Sequence, residues 1–173
     1  MIPLPDPLHP ATTHFPVAFL ILGAAVAVVA VFVRRWNLPL LAAILLVAGA
    51  VGAVVAVNTG KEEEEKVEHA VPAAEGVLES HEEWGENARN AGIIAALFAV
   101  IAVFFAAKPV AGRVLSAVTA LVALNAAYCV AQAGHFGGEL VYRHGAGVSS
   151  GTAGSGQSVP GEAFREERGE HDE

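Results

Sequence analysis

Scarcity says as much as abundance in this chain of 173 residues. It has one cysteine, Cys129, so no internal disulfide can form, and its place inside an apolar run suits packing better than thiolate chemistry. Lys and Arg total 10 against 18 Asp and Glu, which leaves a net charge of −8 and no basic face for nucleic acid. No Lys or Arg precedes Arg34. The opening "MIPLPDPLHPATTH" therefore lacks the positive region of a signal peptide, and the first apolar run reads as a retained helix. There is no glycine-rich nucleotide loop, and no Ser-His-Asp set has a supporting pattern.

Charge is missing most tellingly from four stretches: Phe15–Val33, Leu38–Val57, Ala91–Ala107 and Val114–Gly134. Each approaches the ~17–25 residues that a bilayer-spanning helix needs. With 54% hydrophobic residues and a mean hydropathy of +0.49, the chain is too apolar and too blocky for a soluble domain. The expected fold is an all-α, integral membrane, up-down four-helix bundle over residues 1–147, with helices at about 15–33, 38–69, 78–107 and 113–143. The tail, 148–173, is Gly/Ser-rich, then charged, and has no apolar face to bury, so disorder is expected there. No internal repeat is convincing, although the two short turns give a loose 2+2 symmetry.

Orientation follows from charge. The connections "RRWN" and "KPVAGR" hold Arg34, Arg35, Lys108 and Arg113 and no acid, whereas all the acids lie at the opposite end. Basic short loops mark the cytoplasmic side. Both termini and the long 58–90 connection are then extracytoplasmic, and the expected location is the bacterial inner membrane. That connection is rich in helix formers and reads as extensions of the second and third helices joined by a short turn. Trp36 and Trp84 read as interfacial anchors.

On this topology all seven histidines fall at the extracytoplasmic end, and His171 alone is in the tail. Asn125, Tyr128, Gln132, His135, Glu139 and Tyr142 recur at intervals of three and four, which puts them on one helical face. A polar face is costly in lipid, so it is expected to point into the bundle. Asn58, Glu62, Glu65 and His69 continue the pattern on the second helix. Helical rise sets His14 and His135 level, roughly 30–33 Å from the basic turns, where they could meet directly. The same arithmetic lifts His69 and His81 to about 40–48 Å, into a second layer with Glu65, Glu82 and His144.

Four fragments stand together in this chain: "HPATTHFP", "NTG", "HEEWGENA" and "GHFGGELVYRHGAGV". Together, over about residues 8–148, they resemble the bacterial membrane family known as domain of unknown function 2231. The resemblance implies a four-helix membrane domain with motif positions at His9, His14, His81, Gly137, Gly138, Tyr142 and His144. Some members of that family are joined to Rieske-type or cytochrome c domains, which implies a setting of electron transfer. This chain itself has neither a CxxCH motif nor a Rieske cysteine–histidine set.

Three readings of the histidine-rich end follow. In the first, haem b is held by two histidines among His14, His135, His81 and His144. Gly134, Gly137 and Gly138 then admit a flat ring, Arg143 meets a propionate, and Tyr142 lies beside it; an extracytoplasmic redox protein is the expected partner. In the second, one or two ions of iron, copper or zinc are bound by His14, His69, His81, His135, Glu65 and Glu139, although the paired E-x-x-H pattern of di-iron bundles is absent. In the third, the histidines stabilise helix ends and the protein is a membrane scaffold or assembly subunit, with oligomers possible. None of the three makes the chain an enzyme, and the apolar depth between the two ends disfavours transport.

Overall fold

The computed structural model describes residues 8–33, 37–70 and 72–146, the side chains of 65–68 and 70 excepted. Arg34, Arg35, Trp36, the Glu65 side chain and the tail with His171 lie outside the described residues. Five helices carry the fold: α1 (His9–Thr12), α2 (His14–Phe32), α3 (Leu38–Ala70), α4 (Glu75–Phe104) and α5 (Pro109–His144). No strand occurs among the described residues. Among the described residues, four segments are long and apolar enough to cross a membrane, His9–Phe32, Leu38–Glu64, Pro72–Phe104 and Pro109–His144.

The four long helices form a ring in the order α2, α3, α4, α5, so that α2 faces α4 diagonally and α3 faces α5. The axis is filled by small side chains. Ala24, Ala43, Ala95, Ala99 and Ala123 are all buried, and the only large side chains fully enclosed among the described residues are Leu20 and Leu46. In lipid no hydrophobic force drives helices together, so close backbone approach over small residues must do so. Leu20 shows how tight this is: a Cβ on Gly49 would lie 2.8 Å from its side chain, and one on Gly92 3.2 Å away. Leu46 lies equally close to Gly23. The large apolar side chains point outward instead, as with Phe32, Ile44, Leu97 and Leu121. Such continuous apolar exposure is what contact with acyl chains requires.

The helix ends have local causes. Pro109 occupies the first turn of α5, where its missing N–H is no loss. Gly145 ends the same helix in the left-handed region (φ 68°), donating its N–H to the Val141 carbonyl at 3.1 Å while Ala146 donates to Leu140 at 3.0 Å. Ala146 is thereby tucked against Ala74 and Leu140, closing α5 onto the single 3-10 turn Pro72–Ala74 that links α3 to α4. This end, with the start of α1 and the end of α5, is the histidine end of the bundle.

Candidate functional site

Two histidines from diagonally opposed parts of the bundle meet at this end. His9 opens α1, and His81 lies in the second turn of α4. Their ring centroids are 5.9 Å apart, with planes at 88°. Each ring is tied to a different neighbouring helix. His9 Nδ1 lies 2.8 Å from the Ala56 carbonyl of α3, and His81 Nδ1 lies 2.8 Å from the Ala133 carbonyl of α5. A carbonyl only accepts, so both Nδ1 atoms carry a proton, and no hydrogen bond among the described residues engages either Nε2.

The two halves solve the same local problem in the same way. A mid-helix carbonyl is normally screened by the side chain one turn further on, and here that residue is glycine in both cases. Gly60 follows Ala56 by four residues, and Gly137 follows Ala133 by four. A Cβ on Gly60 would sit 3.0 Å from His9 Cε1, and a Cβ on Gly137 would sit 3.0 Å from His81 Cε1. Histidine, exposed carbonyl and glycine thus recur as a unit in each helix pair. The unit recurs although the two helix pairs show no convincing sequence repeat.

The His9 half is further braced. Glu63 Oε1 accepts from the backbone N–H groups of Leu8 (2.8 Å) and His9 (3.2 Å), which caps α1 from a neighbouring helix. The Thr59 hydroxyl lies 3.0 Å from both the Ala56 carbonyl and the Thr12 hydroxyl, and the latter donates to the His9 carbonyl at 2.9 Å. On the rim, Lys61 bridges α3 to α4 through Glu86 (2.8 Å) and Glu82 (3.5 Å).

The other candidate positions are arranged differently from the sequence expectation. His14 is exposed and donates from Nδ1 to the Pro10 carbonyl (2.8 Å) one turn back, while His135 is exposed and packs edge-on to Phe136. They do not meet. His69 is exposed, and His144 is half-buried at the end of α5. Glu139 pairs with Arg143 at 2.7 Å rather than with His135, and the Arg143 side chain is 75% exposed. Tyr142 is exposed. Gly137 is occupied by the His81 ring, whereas Gly134 and Gly138 face open space.

The polar stripe of α5 also turns the opposite way. Asn125, Tyr128, His135 and Tyr142 are exposed, and only Gln132 and Glu139 are half-buried. The inward face belongs to Ala123, Ala126, Cys129 and Val130, because longer polar side chains would hold α5 off its neighbours. Asn58 and Glu62 are likewise exposed on α3. His81 does not stand above the others. Because α4 stops at Phe104, His81 is roughly 35 Å along its helix from the short-turn end, level with Ala133 on α5.

His9 is the partner that reasoning from side chains missed; it entered only as a motif position of the resembled family. A signal was available. The fragments that carry the resemblance pair one histidine segment with one glycine segment twice over, "HPATTHFP" with "NTG" and "HEEWGENA" with "GHFGG".

Residues 5–150 match a family described as "Predicted membrane protein (DUF2231)". The chain belongs to this family. No curated protein and no solved structure matches it. The family match spans both histidine–carbonyl–glycine units, from His9 to Gly137, so the paired site lies wholly within the family's domain.

Proposed function

We propose that this protein is a metal-binding membrane subunit in which His9 and His81 supply two imidazole ligands to one transition-metal centre. The observation that carries the reading is that each Nδ1–H is fixed on a main-chain carbonyl while the two rings meet edge to face, 5.9 Å between centroids. Metal-binding histidines are held in this way, since a hydrogen bond from one ring nitrogen sets the tautomer and aims the other. An ion about 2.0–2.1 Å from each Nε2 holds two ring centroids roughly 6.4 Å apart when linear and closer when bent. The observed 5.9 Å falls within that span. Two imidazoles suit copper, zinc or iron, and two ligands leave positions for an exogenous one.

A bare ion fits better than haem b, because the glycine slot at Gly137 is filled by the His81 imidazole rather than left for a macrocycle. The basic residues Lys108 and Arg113 near the short-turn end, with Arg34 and Arg35 in the adjoining connection, favour a cytoplasmic placement of that end. The histidine site then opens to the extracytoplasmic side of the inner membrane, where a soluble redox or metal-donor protein could reach it. A second reading is favoured by the same tight packing: the two imidazoles act as clasps that lock α1 to α3 and α4 to α5.

The test is metal content of the full-length purified chain after incubation with copper, zinc or iron and removal of excess, together with an absorption spectrum after haem addition. Stoichiometric metal that is lost in His9→Ala and in His81→Ala, but kept in His14→Ala and His135→Ala, supports the centre. Loss of metal in the latter pair instead, or no metal in the wild type, overturns it; a Soret band dependent on His9 and His81 moves the reading to haem.

A further inference from the structure

We infer that the lipid-facing seam of α5 joins two copies of this chain side by side in the membrane, in parallel, about a two-fold axis along the bilayer normal. The starting point is Asn125. It sits midway along the apolar run Val114–Gly134, is exposed, and makes no hydrogen bond among the described residues. A carboxamide left unpaired in hydrocarbon is strongly disfavoured, because no water is there to take its two donors and its acceptor. Something polar must meet it at that depth.

The pattern around it identifies the occupant. Leu121, Asn125, Tyr128, Gln132 and His135 follow one another at intervals of four, three, four and three, the a/d spacing of a coiled-coil seam. Leu121 is 69% and Tyr128 54% exposed, so the seam stays open to the lipid although the Tyr128 ring packs edge to face with Trp84 of α4, 5.7 Å between centroids. A second copy inserts with the same orientation, so each seam residue meets its own counterpart at equal depth. Asn125 is self-complementary in that geometry, since its amide donates to and accepts from the partner amide, as a single asparagine at an a position does in parallel dimers. Gln132 donates to Tyr128 Oη at 2.8 Å, which leaves its carbonyl oxygen and the tyrosine O–H to pair across the same seam. The contact is separate from the histidine pair, and it stands or falls without the metal reading.

Cross-linking of the full chain in native membranes tests this. In a Cys129→Ala background, Leu121→Cys is expected to form a disulfide-linked species of twice the chain mass on mild oxidation. Val51→Cys, at a position 60% exposed but on α3, is expected not to. Adding Asn125→Leu to Leu121→Cys should lower the cross-linked yield about 3- to 30-fold, as removal of one interhelical polar contact does. Asn125→Gln should restore part of it. Because Asn125 is exposed and makes no hydrogen bond among the described residues, its replacement should leave the elution and melting of the monomer unchanged, which separates lost pairing from lost folding. Cross-linking no faster than at Val51, yield indifferent to Asn125→Leu, or an adduct of some other mass would overturn the proposal.

Discussion

His9 and His81 lie edge to face, 5.9 Å between ring centroids, each anchored through Nδ1 to a carbonyl that a glycine one turn on leaves open. The arrangement links two helix pairs that share no sequence repeat, and it separates the two nitrogens of each ring into different tasks. Nδ1 holds the fold, and Nε2 is the nitrogen to which the proposed function assigns the metal.

That division of labour can be tested at His81 with two substitutions. Asparagine keeps a donor close to the Nδ1 position but has nothing at Nε2. His81→Asn is therefore expected to retain most of the stability and lose the bound metal. His81→Ala removes both and should lower the unfolding free energy by about 1–3 kcal/mol, the range for deleting a part-buried hydrogen-bonding group. Thermal unfolding in detergent alongside metal analysis reads both effects. Equal metal content in wild type and His81→Asn would leave only the clasp.

The glycines give a second test, because the usual effect of Gly→Ala in a helix has a known sign. Gly85 lies inside α4 with nothing within 4 Å of where a Cβ would project, so Gly85→Ala should stabilise by about 0.5–1 kcal/mol through backbone entropy and helix propensity. Gly60→Ala and Gly137→Ala gain the same contribution but press a methyl to 3.0 Å from an imidazole carbon. Each should be at best neutral in melting temperature and should weaken metal retention. A rise at Gly137 equal to that at Gly85 would show that the carbonyl does not need the glycine.

Packing along the axis predicts a non-additive pair. A Cβ on Gly23 would lie 2.8 Å from the Leu46 side chain and 3.3 Å from its backbone nitrogen. Gly23→Ala should therefore destabilise by about 1–3 kcal/mol through overpacking. Leu46→Ala should cost about 2–5 kcal/mol through the cavity it leaves. In the double variant the added methyl enters the vacated space, so the combined loss should fall short of the sum by at least ~0.5 kcal/mol. Strict additivity would place the two residues out of contact.

Hydropathy made the four helices legible, because a run free of charge and long enough to cross lipid has few other structures open to it. The site was legible only in part. His81 is readable as an imidazole near the end of a helix, but its acceptor is a main-chain carbonyl, and side-chain identity carries no trace of that. His9 lies among prolines ahead of the first apolar run, where no helical period draws attention to it. The α5 stripe from Asn125 to Tyr142 was visible as a stripe, yet spacing cannot tell which way a face turns. Its direction is set by Ala123, Ala126 and Cys129 on another side of the helix, whose smallness lets α5 close on the bundle. A single chain considered in isolation makes a polar face inward by default, and a second chain removes that need.

The last expectation concerns Glu63, which caps a helix it does not belong to. The α1 N-terminus has no side-chain cap of its own, and Glu63 Oε1 accepts from the N–H groups of Leu8 and His9. A carboxylate there also faces the positive end of the short α1 dipole. Glu63→Ala should cost about 0.5–2 kcal/mol, as the loss of a helix cap does. Because His9 is the first residue of α1, its imidazole should lose its fixed position together with the cap. Metal retention is therefore expected to fall in Glu63→Ala and to recover in Glu63→Gln, whose carbonyl oxygen can still accept both bonds. Unchanged metal retention in Glu63→Ala would show that Ala56 alone positions the His9 ring.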